Sequence, residues 1–127
     1  MNQDQQQTII EQYISAYNSF DVPGMLMHLH EEVTFRNISG GEVNLETKGK
    51  AAFAEQAEMA KNYFRERRQT VTNWEFTPEK TRFTISYSGT LAVDLPNGMK
   101  AGETMELDGH SEFTFSAGQI IGITDIS

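Results

Sequence analysis

The chain carries 18 acidic residues and 3 histidines, and their spacing decides most of what they could do. His28 and His30 stand in the run His28-Leu29-His30-Glu31-Glu32, which gathers metal-ligand types closely. The run falls at the end of a short helical pattern. Residues two apart on a helix point about 200° apart, so both imidazoles cannot reach one ion there. Solvated or helix-end roles suit them better, because a helix C-terminus favours a cationic ring. Asp108, His110 and Glu112 recur at alternate positions of a strand pattern and could form a triad of sorts. No nucleophile is implied beside them, so a solvated or dimer-facing row is the expectation. Arg65-Glu66-Arg67-Arg68 reads as a charge run at a helix end, suited to capping and solubility. Polar groups on apolar faces say more: Tyr13 and Tyr17 on a helix stripe, and Asn37 in line with Val33 and Phe35 on a strand. A polar group on a buried face needs a partner, and a ligand is one way to supply it.

Composition removes several classes of function. The 127 residues fit one domain, 1–127, with enough chain for a real core. A net charge of −8 would repel a phosphate backbone, so nucleic acid is set aside. No apolar run approaches the length that spans a bilayer. Met1 to Gln7 is polar and Gln-rich, without the charged-then-apolar layout of a secretory signal, which makes a cytoplasmic protein the expectation. The chain has no cysteine, which excludes disulfides and thiolate metal sites, and no metal or cofactor is expected.

The elements that must position these residues follow from hydrophobic period. From about Asp4 to Phe20, Ile9, Ile10, Tyr13, Ile14, Tyr17 and Phe20 make one helical face, with Asp4 and Gln7 as a capping pair. Asp21 and Pro23 open a short helix ending near His30. Val33 to Ile38 alternates as a strand, Ser39-Gly40-Gly41 turns, and Glu42 to Thr47 is a short edge strand or an ordered loop. A third helix runs from about Gly49 to Arg67, with Phe53, Ala57, Ala60, Tyr63 and Phe64 on one side. Then comes a meander: Thr70 to Thr77, Thr81 to Val93, Glu103 to Phe115 and Ile120 to Ile126, with turns at Leu95-Pro96-Asn97-Gly98 and Ala117-Gly118-Gln119. Helices first and a long meander after predict an α+β fold, with helices on one sheet face and the other face polar.

Certain stretches carry a family likeness. Tyr13-Ile-Ser-Ala-Tyr-Asn-Ser-Phe-Asp21, then Gly24, Leu29 and Glu32-Val-Thr-Phe35, resemble the opening of SnoaL-like proteins. These are ketosteroid isomerase relatives within the nuclear transport factor 2-like superfamily. Lys48-Gly49-Lys50-Ala-Ala-Phe53 and Phe113-Thr-Phe-Ser-Ala-Gly-Gln-Ile-Ile121 extend the likeness over essentially the whole chain. What the resemblance implies is a cone: three helices packed on a strongly curved mixed or antiparallel sheet that encloses an apolar cavity.

Ketosteroid isomerases combine an Asp base with a Tyr and a protonated Asp that hydrogen-bond the developing oxyanion. The resemblance puts Tyr13 at the oxyanion Tyr, Asn37 at the base and Ser111 at the second donor; a register slip of one would turn His110 inward instead. An amide cannot take up a proton at neutral pH, so this is not a standard ketosteroid isomerase. A base would have to come from Glu103 or His28. The expected lining is Tyr13, Tyr17, Asn37, Tyr63, Trp74, Tyr87, Met105, Ser111 and Phe113, which suits a small hydrophobic, aromatic or polycyclic ligand, unless these aromatics are simply core. Three functions compete: an isomerase, cyclase, dehydratase or hydrolase on a small metabolite; a non-catalytic binding protein using the same cavity; and a module that homodimerises through the polar sheet face.

Overall fold

The computed structural model describes all 127 residues as three α-helices and one six-stranded mixed sheet. Helix α1 (Gln3–Asn18) starts two residues earlier than its sequence signal. Its cap is Asn2, whose side chain accepts from the Gln5 amide while Gln5 bonds back to the Asn2 amide. That reciprocal pair satisfies two orphan donors of the first turn. Its buried stripe holds Ile10, Tyr13, Ile14 and Ala16, and also Gln6. The Gln6 amide donates to the carbonyls of Thr77 (2.8 Å) and Pro78 (3.1 Å) and accepts from the Thr81 hydroxyl, which ties the start of the helix to a distant sheet turn. Helix α2 (Val22–Leu26) begins at Asp21, whose carboxylate accepts from the Gly24 amide. It stops four residues short of the expected end. His28 therefore lies in a turn, and His30 falls on the first strand.

Strand β1 (Leu29–Ser39) pairs antiparallel with β2 (Glu42–Lys48), and helix α3 (Lys50–Ala60) with a short 3-10 turn (Lys61–Tyr63) follows. The meander is β3 (Phe64–Phe76), β4 (Lys80–Leu91), β5 (Thr104–Ser116) and β6 (Gln119–Ile126), and the sheet order is β2-β1-β6-β5-β4-β3. β1 and β6 run parallel and the other pairs antiparallel. The mixed α+β architecture expected from the sequence is the one observed.

The third helix is the main correction. It ends at Ala60, and the segment read as its last two turns is the start of β3. Helical spacing in Tyr63-Phe64-Arg65-Glu66-Arg67 is a local signal. Pairing of Phe64 with Leu91, Glu66 with Thr90 and Arg67 with Gly89 is a long-range one, and it wins. The charge run is thus not a helix cap. Its residues lie on a strand with a register shift at its start: Arg65, Glu66 and Arg68 are exposed, and Arg67 is turned into the interior, 5% exposed.

Helices α1 and α3 cover the concave face, where Ile10, Leu29, Val33, Phe83, Phe113, Ile120 and Ile123 form the centre of the core. The outer face carries polar ladders: Glu112 bridges Lys80 (3.1 Å) and Arg82 (3.4 Å), while Asp108 and His110 stand exposed. No three His, Asp or Glu side chains converge as metal ligands, and no helix is long and apolar enough to cross a membrane.

Candidate functional site

The core is not filled to the mouth of the cone. Between α1, α3 and the concave sheet lies a cavity of about 430 Å³, a size that suits a small organic ligand. Of the nine residues expected to line it, Tyr13, Tyr17, Asn37, Tyr87 and Met105 do. Tyr63 does not: the early end of α3 leaves it exposed on the 3-10 turn. Trp74 faces away, stacked on Phe76 (5.6 Å) and against Phe83 (5.1 Å), beside an outer groove between α1 and β3. Phe113 lies below the cavity, edge-on to Tyr13 at 5.3 Å, and so holds that ring in place. Ser111 is fully buried beneath the lining, while His110 stands exposed by the mouth.

What Ser111 touches is the feature missed by sequence reading. Its hydroxyl donates to Oδ1 of Asp125 at 2.6 Å, and Asp125 lines the cavity. Asp125 is paired in register with Asn37 of β1 on one side and Ser111 of β5 on the other, so the three share a face. The Asn37 amide donates to Asn44 Oδ1 (2.8 Å), which fixes it on the β2 side of the row. The two side chains expected to supply a base, Glu103 and His28, are elsewhere. The Glu103 carboxylate accepts from the Lys100 amide in the loop before β5, and the His28 ring bonds Gln12 on α1 at 2.7 Å. Neither borders the cavity. A signal for Asp125 existed: counting in twos from buried Ile123 turns it inward. A bulge opposite Thr114 and Phe115 breaks the alternation earlier in the strand and hides that phase.

Burial sets the electrostatics. It pushes the Asp125 carboxyl up from 3.8 to about 6, against the opposing pull of the Ser111 hydrogen bond. No cation pairs with it. Tyr13 is raised well above 10.0, first by burial and then by the negative charge of Asp125, with Arg67 pulling the other way. Burial also raises Tyr17 and Tyr87, whose hydroxyls share a hydrogen bond of 3.1 Å. All three phenols stay protonated at any ordinary pH, so they can donate hydrogen bonds but cannot serve as bases. One carboxylate, near neutrality and unpaired with any cation, faces a set of permanent donors across an apolar space. That arrangement can take a proton from carbon or oxygen and stabilise the charge left behind.

The family model of the SnoaL-like domain matches residues 10–123. Among curated proteins, none matches the sequence. A candidate polyketide cyclase from Xanthomonas campestris pv. campestris superposes with a TM-score of 0.85 at 21% identity, covering 100% of this chain and 93% of that one. A candidate SnoaL-like polyketide cyclase from Jannaschia sp. CCS1 gives 0.80 at 11% identity, over 96% and 84%. TerC, co-crystallised with polyporic acid, gives 0.76 at 18%, over 96% and 90%. At these identities the likeness is one of fold.

Proposed function

This chain belongs to the SnoaL-like domain family, and from that premise we propose that it is a proton-transfer enzyme acting on a small hydrophobic carbonyl compound held in the cavity. The observation that carries the reading is Asp125: a carboxylate lining an apolar cavity, without a cation, with a pKa of about 6. Such a base is half ionised near pH 6 and fully available above it. It takes a proton from the carbon beside the carbonyl, the C–H electrons move into the C–C bond, and negative charge gathers on the oxygen. Tyr13, whose hydroxyl makes no hydrogen bond to the protein, donates to that oxygen. Where a C=C bond adjoins that carbon, the anion is a dienolate, and protonated Asp125 returns the proton to its far carbon as the double bond moves into conjugation with the carbonyl, which is isomerisation. In ring closure the enolate carbon attacks a second carbonyl, and the proton goes to the new alkoxide. The names of the Xanthomonas and Jannaschia proteins favour the cyclase branch. Ser111 is a positioning residue that holds the Asp125 carboxylate, and Asn37 flanks it.

The test uses 2-tetralone in D2O, with loss of its α-proton signal followed by NMR. Saturable exchange is expected, rising with pH through about 6, abolished by Asp125→Asn and slowed by Tyr13→Phe. Exchange no faster than buffer, or unchanged in Asp125→Asn, refutes the enzyme reading. Saturable binding of the ketone without exchange would favour a binding protein that uses the same cavity. Homodimerisation through the outer sheet face is a separate proposal, which light scattering in solution decides.

A further inference from the structure

Arg67 lines the same cavity, and the proton-transfer reading gives it no task. Its side chain enters from β3 and lies between two rings, its guanidinium carbon 3.7 Å from the centre of Tyr17 and 4.6 Å from that of Phe20. Nε donates to the Tyr17 carbonyl at 2.9 Å. Nη2 is buried and has no hydrogen-bond partner. No carboxylate forms an ion pair with it, although the chain carries 18 acidic residues. A buried guanidinium normally has an anion beside it, and the two ring faces compensate only in part.

We infer that the cavity takes a hydrophobic ring compound bearing an acidic group, a carboxylate or an acidic enol, which pairs with the Arg67 guanidinium. The polar groups lie in sequence along the cavity. Tyr13 lines the cavity from α1, and Arg67 stacks directly on Tyr17, one helical turn further along the same helix. A turn is about 5.4 Å, so the acidic group and the reacting carbonyl sit on opposite sides of roughly one ring. Arginine suits the task because its planar fork matches a carboxylate and its charge persists in an apolar site. The assignment of ends rests on the proton-transfer reading; the anion subsite itself does not.

The test compares 2-naphthoate with 2-acetylnaphthalene, a neutral compound of similar shape, by calorimetric titration. On the wild-type protein the two are expected to compete for one site. Arg67→Met should weaken 2-naphthoate roughly ten- to a hundredfold, the range for a hydrogen bond to a charged group, and leave 2-acetylnaphthalene within about twofold. The neutral ligand thus reports that the variant folds and keeps its cavity. Arg67→Lys, which keeps charge but loses the fork, should fall between. Equal weakening of both ligands by Arg67→Met, no binding of 2-naphthoate to the wild type, or non-competitive binding in the outer groove that Arg67 also borders would each overturn the inference. In Asp125→Asn, 2-naphthoate should still bind while exchange of 2-tetralone is lost, so the two proposals fail separately.

Discussion

Replacing Asp125 with Asn should make the protein more stable and less active at once. Burial raises the folded-state carboxyl from 3.8 to about 6. At about 1.4 kcal/mol for each tenfold change in proton affinity, ionising it inside the fold costs about 3 kcal/mol. Below pH 3.8 the group is neutral in both states and costs nothing. As pH rises the unfolded chain releases its proton first, so stability falls until the folded carboxyl has ionised near pH 6, and is flat beyond. Water entering the cavity screens part of the charge, which brings the expected gain for Asp125→Asn to about 2–3 kcal/mol at pH 7.5. The Asn side-chain oxygen still accepts from Ser111, and the new amide N–H donors border the open cavity, where water can accept from them. The assay is urea unfolding of both proteins at pH 7.5 and again near pH 4. The gain should be present at the higher pH and nearly vanish at the lower. A variant no more stable than wild type at pH 7.5, or one whose gain is the same at both, would falsify the claim that Asp125 is a strained buried carboxylate.

Tyr13→Phe keeps the ring packed against Phe113 and Phe53; it should lower the exchange rate roughly a hundredfold with little change in the binding of 2-tetralone or in melting temperature. Gln6→Ala removes the partner of the Thr81 hydroxyl and of the Thr77 and Pro78 carbonyls, and a loss of about 1–3 kcal/mol in denaturant unfolding is expected. Gly109→Ala drives a methyl group into the Ile126 carbonyl oxygen at the cavity wall; destabilisation of about 1–3 kcal/mol should come with weaker binding of 2-tetralone by calorimetry.

The fold was legible wherever local period and tertiary structure agreed. Helix α1 showed its stripe, and β4 and the second half of β5 showed their alternation, because each buries one face there. The α3–β3 boundary was not legible. No Gly or Pro separates Tyr63 from Arg68, and only the partner strand, from Ser88 to Leu91, decides that the chain is extended there. Two site residues were lost for that kind of reason. Arg67 was hidden inside a segment read as helix, where it looked like one charge among four. Asp125 followed a bulge that reset the phase of β6. Tyr13, Tyr17 and Tyr87 were found because α1 and β4 are regular, and Asn37 because the alternation from Val33 through Phe35 holds up to the register shift that follows it. Trp74 was misplaced because β3 is irregular between Thr72 and Glu75, with Asn73 in the left-handed region at φ 55°.

The polar row on the cavity floor has a kinetic consequence. Asn37 and Asp125 are neighbours across the parallel β1–β6 pair, yet all of β2, α3 and β3 to β5 lies between them in the chain. A pairing of that span carries the loop-closure entropy of the intervening segment, and long-range pairings form slowly. Hairpins β1–β2 and β3–β4–β5 can each assemble from nearby sequence, whereas the floor exists only once β6 slots between β1 and β5. During refolding, recovery of 2-tetralone binding should therefore lag behind the return of sheet signal in circular dichroism. The acid that makes the pocket reactive is then among the last groups to be enclosed, and the strain of burying it is met only when the rest of the sheet is in place to hold it.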